Sequence, residues 1–297
     1  MIHLSTSLSA PKVLSLLDEQ YYTDTFTFFK KIESNILNGY NLEISFSSCI
    51  EIEPSAALLL FSTVNFLHMK YGFNRIKIKQ LALGSTLSYD AALSRSGVWE
   101  ALNCKCVQDV ENLVIQNNKF KTSCDQSILK KADEILRGIK DLSQEHIFFL
   151  NLAMKEAVLN VIYHAYIDKS GIVSPDELGI RWWQCAWVNT KQKTVNIIIH
   201  DRGVGVLGSY KNGQDDENAL NEAFLQGYSR SGLVNRGMGS EDMKSPVNEL
   251  MGQHTLTVLT GEFVYEYQLR TIQPIITKRK VAICGTLVHW NCSYGNV

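Results

Sequence analysis

One helical stretch constrains this sequence more than any other part of it. Between residues 151 and 166, three polar residues, Glu156, Asn160 and His164, recur every four positions among mostly apolar ones. In an α-helix this spacing places their side chains along one stripe, about one turn apart. The surrounding apolar residues predict that the stripe lies beside a buried seam, although the spacing alone would also suit a solvated helix face.

The stretch at 195–206 predicts a buried strand that ends in an acid and a glycine-rich turn. Its apolar residues 197–199 are followed by Asp201 and then by Gly203 and Gly205. Glycine allows backbone conformations and close approaches that a Cβ atom prevents. The strand and its turn therefore indicate a place where the backbone can approach a ligand, and together with the helix they suggest an ATP site.

Length and composition indicate a globular protein of two domains. The chain has 297 residues, of which 45% are hydrophobic and 20% charged, and its net charge of −1 gives no basic field that would favour nucleic acid or an anionic membrane. The N-terminus has no basic segment followed by an apolar one, and no apolar run reaches the ~18 residues of a membrane span. We therefore expect a cytoplasmic protein that binds neither membrane nor nucleic acid.

The seven cysteines are scattered along the chain. Cys104 and Cys106 are too close for a C-x-x-C redox or zinc pair, and the sequence has no second cysteine pair that could complete a zinc site with them. We interpret most of the cysteines as buried thiols rather than metal ligands.

The first third of the chain alternates helical and strand patterns. Residues 41–47 and 75–81 alternate polar and apolar residues as strands do, and an apolar helix is predicted between them at 56–72, with Pro54 suited to its start. The other predicted elements are two helical patterns within 9–38, the first through Val13 and Leu14, and two short helices at 88–93 and 94–102. This βαβα order predicts parallel strands.

Over about residues 1–105 this order resembles the STAS fold of sulfate-transporter and anti-anti-sigma domains, which implies a regulatory or interaction domain. In that family a loop carrying Asp-Ser precedes the Leu-rich helix. Here the corresponding residues are Glu53 and Pro54, so the phosphorylatable serine is missing at its own position. Ser55 lies one residue further on, where it could replace that serine or, as we favour, cap the helix.

Residues 103–124 are polar and lack clear periodicity, which predicts the end of the first domain and a linker. An amphipathic helix is predicted at 126–139. We therefore divide the chain into domains of residues 1–122 and 123–297.

From about residue 140 to 292 the sequence resembles the ATPase fold shared by gyrase, the heat-shock chaperone, histidine kinases and mismatch-repair ATPases (the GHKL or Bergerat fold). Four motifs carry the resemblance in the family's order: Glu156-AVLNVIYHA-Tyr166, Asp201-x-Gly-x-Gly, Arg236-GMGSED-Met243 and Gly285-Thr286. The first is nearest to the anti-sigma-factor serine kinases, whose helix carries Glu-Ala-x-x-Asn-x-x-x-His-(Ala/Gly)-Tyr. The resemblance implies an α/β (α+β) two-layer sandwich with a mostly antiparallel mixed sheet.

The resemblance also implies a role for each polar residue of the helix. Glu156 would be the general base, which takes a proton from an attacking water or a substrate hydroxyl. Asn160 would offer its amide oxygen to Mg²⁺, which keeps several waters and bridges phosphate oxygens, so that one protein ligand suffices. For His164 two interpretations stay open: a phosphate contact or orientation of the base, and packing at the helix end.

The second and fourth motifs imply an adenine site. Asp201 would accept a hydrogen bond from the adenine amino group, which favours adenine over guanine, while Gly203 and Gly205 would let the base pack flat. The hydroxyl of Thr286 would support Asp201 directly or through water. Alternatively, Thr286 is an ordinary threonine of a strand.

Residues 206–238, which we call the lid, are rich in Gly, Ser, Asn and Asp and are longer than an ordinary connection. Gly237 and Gly239, with the free N–H groups of the following helix, would cradle phosphates. Arg230 or Arg236 would pair with the γ-phosphate, or else carry solvated charges of the lid.

This phosphate turn departs from the family pattern. The family has Gly-Leu-Gly-Leu, whereas Met238 and Ser240 replace the two leucines here, and Glu241 and Asp242 add negative charge. Ser240 could cap the helix, and Pro246 is expected to interrupt it. These differences bear on turnover more than on ATP binding.

The remaining predicted elements are those of a sheet. Strands are predicted at 179–189 and 193–200 before the lid and at 255–259, 262–269 and 285–290 after it, with a helix at 217–225 inside the lid. Gly261 marks the predicted hairpin turn. The tryptophans of the first strand are expected to pack on sheet faces, not to stack on nucleic acid, because no basic cluster flanks them.

Three functions fit these expectations. The first is a serine/threonine protein kinase or ATPase of partner-switching signalling, with ATP, Mg²⁺ and a protein partner. The second is an ATP-gated switch in which nucleotide orders the lid and exposes a surface for a partner or a homodimer. The third is an interaction module with little or no catalysis, such as half of a paired defence or toxin–antitoxin-like system. A sensor histidine kinase is disfavoured, because no helix with a His-Glu-x-(Arg/Lys) phosphoacceptor precedes the ATPase region.

Overall fold

The computed structural model describes residues 4–79, 96–116, 118–124, 133–134, 136–167, 170–171, 178–209, 216–225, 239–269 and 273–295. It is a mixed α/β structure that divides into two compact units, Met1–Thr122 and Ser123–Val297. The helix predicted at 88–93, most of the helix predicted at 126–139 and much of the lid lie outside the described residues. So do three of the predicted site residues, Arg230, Arg236 and Gly237.

The first unit is built on parallel strands. Strands β1 (Ser5–Ser9), β3 (Asn41–Ser45) and β5 (Ile76–Lys79) form a sheet in the order β1-β3-β5, and β2 (Val13–Leu14) pairs with β4 (Glu51–Ile52); each of these pairs is parallel. Parallel neighbours need crossover connections, which helices α1 (Glu19–Leu37) and α2 (Pro54–Tyr71) provide. The parallel strands predicted for this region are confirmed.

The two crossover helices bury different amounts of their surface. α1 is amphipathic: it buries one face, which includes Phe26, Phe29 and Ile32, and Asp18 caps its start by accepting a hydrogen bond from the N–H of Gln20. α2 is apolar almost all round and is correspondingly buried through most of its length. It forms the centre of this unit's core.

Two predictions for this unit are wrong. Val13 and Leu14 belong to strand β2 rather than to a helix, because they pair with the two residues of β4. Residues 103–124 include the end of the first unit, as predicted, but they are not a linker, since they contain helix α4 (Val107–Ile115) and strand β6 (Phe120–Ser123). The short helix predicted just before them is present as α3 (Val98–Leu102).

The second unit is built on an antiparallel sheet. Strands β7 (Trp182–Asn189), β8 (Thr194–Asp201), β10 (Ile275–Ser293) and β9 (His254–Gln268) lie side by side in that order, and each neighbouring pair is antiparallel. The described helices are α5 (Gln144–Asn160), continued by a π-helical turn (Val161–Ala165), α6 (Gly205–Ser209), α7 (Asp216–Ala223) and α8 (Gly239–Asn248). Within the described ranges, no helix is long and apolar enough to cross a membrane.

The hairpin formed by β9 and β10 is longer than predicted. β9 runs without a break through Gly261, so that residue is not the hairpin turn. Gly261 has a φ of +56° and pairs with Ile283 between two register shifts. Glycine is common in hairpin turns, which is why the sequence suggested two separate strands here.

Both faces of this sheet are buried. The strand registers place Trp182, Ile199 and Trp290 on one face, and Trp183 and His289 on the other, and all of them are at most 3% exposed. Burial on both faces explains the near-continuous apolar runs of β7 and β8.

In the first unit, the carboxylate of Glu53 ties the start of α2 to the loop after β2. Glu53 Oε2 accepts hydrogen bonds from the Ser15 hydroxyl (2.6 Å) and from the N–H groups of Leu16 (2.8 Å) and Leu17 (3.2 Å). Glu53 Oε1 accepts one from the Ser55 hydroxyl (2.6 Å), and Ser55 is fully buried. Ser55 therefore serves the start of the helix and is not an exposed hydroxyl.

Glu53→Ala is expected to destabilise the first unit by about 2–4 kcal/mol, because four donors lose a charged acceptor inside the fold. The measurement is hydrogen–deuterium exchange of peptides from residues 13–71 of the full chain in increasing urea. Glu51→Ala, at an exposed position on β4, is the matched control and should stay within about 0.5 kcal/mol of wild type. Equal effects of the two substitutions would contradict the role given to Glu53.

Candidate functional site

Helix α5 carries the first part of the candidate site. Ser143 caps its start, since the hydroxyl oxygen accepts a hydrogen bond from the N–H of His146 (3.2 Å). Its buried face includes Ala153, Ala157 and Val158. Glu156 is half-buried at the edge of that face and Asn160 is exposed one turn further on, as the spacing predicts.

The first turn of α8 lies directly against Glu156. A Cβ atom at Gly239 would be 2.8 Å from Glu156 Oε2, so the absence of a side chain lets the helix backbone approach the carboxylate. One turn further along both helices, the Asn160 side-chain N–H group donates to the sulfur of Met243 (3.4 Å). The structure thus brings Gly239 next to Glu156 and Asn160, which lie about 80 residues earlier in the sequence.

The carboxyl group of Glu156 is tuned by this environment. Burial raises its pKa, and the negative charge of Asp242 raises it further, while Lys155 acts in the opposite direction. A carboxylate with a raised pKa holds a proton more readily, which is what a general base must do. Asp242 belongs to the first turn of α8, and its effect on Glu156 was not predicted from the sequence.

His164 departs from the stripe. It lies in the π-helical turn, which is wider than an α-helical turn because its hydrogen bonds run from i to i+5. The interval of four residues from Asn160 therefore does not keep His164 in line with Glu156. Its side chain is exposed and its ring contacts that of Tyr163 (6.4 Å between centroids).

The second part of the candidate site is the end of strand β8. Asp201 is 4% exposed, and its Oδ1 accepts a hydrogen bond from the N–H of Gly203 (2.8 Å). Burial raises the pKa of Asp201 to about 7, against the opposing effect of the N–H groups of Gly203 and Thr286. Thr286 is its register partner on β10 and interacts through its backbone, whereas the family resemblance implied its hydroxyl.

Three glycines at or beside this turn allow close approaches, two of them to backbone carbonyls and one to a side chain. A Cβ atom at Gly203 would overlap the carbonyl of Ala165 in the π-helical turn, and one at Gly285 would overlap the carbonyl of Asp201. The N–H of the residue after Gly203 donates to the same Ala165 carbonyl (2.6 Å). Gly205 has a φ of +74° and a Cβ atom there would lie 2.9 Å from Thr260 Oγ1.

Thr260 is a residue of this site that the sequence analysis missed. Its hydroxyl oxygen accepts a hydrogen bond from the N–H of Val206 (2.9 Å), at the start of α6, and it pairs with Thr286 across β9 and β10. It therefore holds the turn after Asp201 from the opposite side. In the sequence it is an ordinary strand threonine, and nothing about it indicated this contact.

Helix α8 continues through Pro246, so the prediction that this proline interrupts the helix is wrong. Proline lacks an N–H and leaves the carbonyl of Asp242 without its helical partner; the Ser245 hydroxyl donates to that carbonyl instead (2.7 Å). The next carbonyl, of Met243, accepts a hydrogen bond from the indole N–H of Trp290 (2.7 Å). Side chains thus replace the missing backbone contact.

The side chains near this site offer few ligands for a metal ion among the residues that the structure describes. Across the described ranges, no group of three or more His, Cys, Asp or Glu side chains could hold a metal ion. The Asn160 contact with Met243 uses the amide nitrogen, and the amide oxygen is the atom that a cation would take. All seven cysteines are free: Cys49, Cys104, Cys185 and Cys292 are buried, whereas Cys106, Cys124 and Cys284 are exposed.

No protein-family model matches this sequence, and no curated protein matches it.

Gly203→Ala is expected to lower the free energy of unfolding by about 3 kcal/mol, because the new Cβ atom would push the end of α5 away from β8. Gly261→Ala is the control for a glycine in open space: unlike Gly203, it has a positive φ, but nothing lies within 4 Å of its Cβ position, so only about 1 kcal/mol of backbone strain is expected. Urea unfolding of both variants measures the difference. Equal losses would show that the approach to Ala165 does not require glycine.

The contribution of Asp201 to the stability of the second unit is expected to fall as pH rises from about 4 to 7. Asp201 has an ordinary pKa of 3.8 and a folded-state pKa of about 7, so the folded chain holds this proton more tightly than the unfolded chain. Its contribution is fully present below pH 3.8 and is lost as pH rises through 7, by up to about 4 kcal/mol. Asp201→Asn cannot ionise, and its urea-unfolding profile should lack this slope; parallel profiles would contradict the assignment.

Proposed function

We propose that this chain is an ATP-binding protein of the GHKL type, joined to an N-terminal STAS-like unit. In this proposal it hydrolyses ATP or transfers the γ-phosphate to a serine or threonine of a protein in partner-switching signalling. The observation that carries the proposal is the contact between Glu156 and the first turn of α8 at Gly239. That contact joins the proposed base to the proposed phosphate turn, two motifs that lie far apart in the sequence.

The start of α8 offers what a phosphate needs. The first N–H groups of a helix have no partner within it, and the helix dipole is positive at that end. Glu156 lies beside these groups, so a phosphate bound there would have the carboxylate next to its attacking water or hydroxyl. In this arrangement Glu156 takes the proton and α8 binds the charge that develops on the phosphate.

The end of β8 would hold the adenine. The carboxylate of Asp201 takes one N–H from Gly203 and interacts with that of Thr286, and an ionised carboxyl group has about four acceptor positions in all. The remaining positions can accept from an exocyclic amine. Ionisation of Asp201 near pH 7 means that an amine donor, which stabilises the charged form, would bind most tightly above that pH.

Asn160 is the residue that would hold Mg²⁺. Mg²⁺ usually takes few protein ligands and completes its shell with water and phosphate oxygens. This fits a single amide oxygen without a cluster of acids. When bound, the ion would neutralise charge on the triphosphate. The chain itself holds Asn160 one helical turn after Glu156, so that its amide oxygen would lie close to the proposed base.

A second function is favoured by the charges of α8. Glu241 and Asp242 both lie in its first turn, where negative charge opposes a phosphate. A site that binds nucleotide but turns it over slowly fits an ATP-gated switch or an interaction module, such as half of a paired defence or toxin–antitoxin-like system. Nucleotide would then control a surface for a protein partner or a second copy of the chain.

The first unit supplies no exposed serine at the position where the STAS family carries one. Ser55 is fully buried and donates to Glu53. If the second unit transfers phosphate, we infer that its substrate hydroxyl belongs to a different protein or a different position. The first unit then serves as an interaction or regulatory domain.

Glu156→Gln is expected to bind ATP with Mg²⁺ as wild type does and to release γ-phosphate about 10²–10⁴-fold more slowly, because the amide cannot accept the proton. Asp201→Asn is expected to lose most of its ATP affinity while its helices and sheet remain intact. Calorimetry measures binding, and released phosphate measures turnover.

The outcomes of this experiment separate the candidates. Wild type that does not bind millimolar ATP would refute the nucleotide site. If both wild type and Glu156→Gln bind ATP without releasing phosphate, the switch is favoured. If the affinity for a protein partner changes neither with nucleotide nor with Glu156→Gln, the interaction module is favoured. Glu145→Gln, an exposed carboxylate at the start of the same helix, is the control and should leave binding and release unchanged.

A further inference from the structure

A buried lysine joins three elements beside the proposed phosphate turn. Lys244 of α8 is 7% exposed. Its ammonium group donates to the carbonyl oxygen of Phe224 just after α7 (2.6 Å) and to Glu241 Oε1 (3.2 Å). It also lies 5.2 Å from the ring centroid of Tyr267 in β9. The functions assigned above use none of these contacts.

These contacts are those that a buried ammonium group needs. Lysine has three donors and no acceptor, and burying its charge costs free energy unless the donors are paired. The carbonyl that follows a helix lies at the negative end of the helix dipole, and a carboxylate and an aromatic face complete the surroundings. An apolar side chain of similar length would fill the space without burying a charge. The contacts of Lys244 therefore indicate a role in holding neighbouring elements in place.

The hydroxyl of Ser240 makes a second connection between the same two elements. It donates to the carbonyl oxygen of Leu225 (3.3 Å), where the sequence suggested a cap for α8. The ring of Phe224 stacks on that of Tyr265 in β9, with centroids 4.4 Å apart and an angle of 21°. The end of α7 is thus held to α8 through two consecutive carbonyl groups and to β9 through one ring.

Both connections reach the turn of α8 that contacts Glu156. Gly239, Ser240 and Glu241 are consecutive residues, and Gly239 is the one that lies against the Glu156 carboxylate. Glu241 is the partner of Lys244 three residues away on the same helix. The position of this turn is therefore set from two sides: by Lys244 and Ser240, which hold it to the end of α7, and by the packing of Gly239 on Glu156.

We propose that Lys244 is a positioning residue that fixes the first turn of α8 against Glu156, with the end of α7 as its anchor. This inference rests on the proposed function and concerns the γ-phosphate end of that site. Asp201, at the proposed adenine end, belongs to β8 and not to the elements that Lys244 joins. Loss of the ammonium group should therefore affect ATP more than ADP.

The test is Lys244→Met in the full chain, which keeps the apolar stem and removes the charge. We expect the affinity for ADP to stay within about twofold of wild type and the affinity for ATP with Mg²⁺ to fall by about tenfold. Release of γ-phosphate should fall by about 10²-fold, the loss that follows when reacting groups are misplaced by about 1 Å. Lys244→Arg should restore part of both losses, and Ser240→Ala should give a smaller loss in the same direction.

Lys278→Met is the matched control. Lys278 also pairs with a glutamate, Glu262 (3.4 Å), and lies 5.6 Å from the ring centroid of an aromatic residue, Phe263. Its side chain is 64% exposed and it belongs to β10, not to α8. We expect its ATP and ADP affinities and its phosphate release to match wild type.

Three outcomes overturn the inference. A folded Lys244→Met chain with the ATP affinity and phosphate release of wild type contradicts it, and so does an equal loss of ATP and ADP affinity, which indicates a general structural role. If Lys244→Met does not fold, unchanged ATP-to-ADP preference in both Lys244→Arg and Ser240→Ala contradicts it instead. A wild-type chain that binds neither nucleotide contradicts the proposed function itself, so the two failures are distinguishable.

Discussion

The candidate site depends on one backbone contact, the hydrogen bond from the N–H of Val204 to the carbonyl of Ala165 (2.6 Å). It joins the end of the π-helical turn after α5 to the turn after β8, and Gly203 makes the approach sterically possible. α5 carries Glu156 and Asn160, while β8 carries Asp201. This contact therefore fixes the separation between the phosphate and adenine ends of the proposed site, which a flexible connection could not do.

Three carboxylates of the chain show how surroundings assign different roles to one chemical group. Glu53 takes four hydrogen bonds and ties a helix start to a loop. Asp201 is buried, with backbone N–H groups beside it, and its pKa rises to about 7. Glu156 lies half-buried beside a helix start, where burial and Asp242 raise its pKa. The first is suited to structure, the second to recognition of a donor, and the third to proton transfer.

Local sequence patterns predicted the helix and the strand end of the candidate site, whereas contacts between distant residues determine how these elements are arranged. The spacing of Glu156 and Asn160 and the Asp-x-Gly-x-Gly turn were sufficient to predict a helix and a buried strand end. Thr260 could not be found, because its role comes from pairing between β9 and β10. The displacement of His164 comes from a π-helical turn, which hydrophobic spacing does not reveal. Similarly, Val13 and Leu14 have a helical pattern but pair with β4, since two residues carry too little local preference to resist it.

In helix α8, the backbone geometry favours the proposed phosphate site, whereas the charges of its first turn oppose it. Its sequence suggested a broken helix, yet Ser245 and Trp290 satisfy the carbonyls of Asp242 and Met243, and the helix continues through Pro246. Its first turn makes the close approach to Glu156 that the proposed phosphate site requires. The same turn places Asp242 near Glu156, and in the proposed site these two acids would repel a triphosphate. A cation would offset that repulsion, so the proposed site would favour a metal–nucleotide pair over the bare nucleotide.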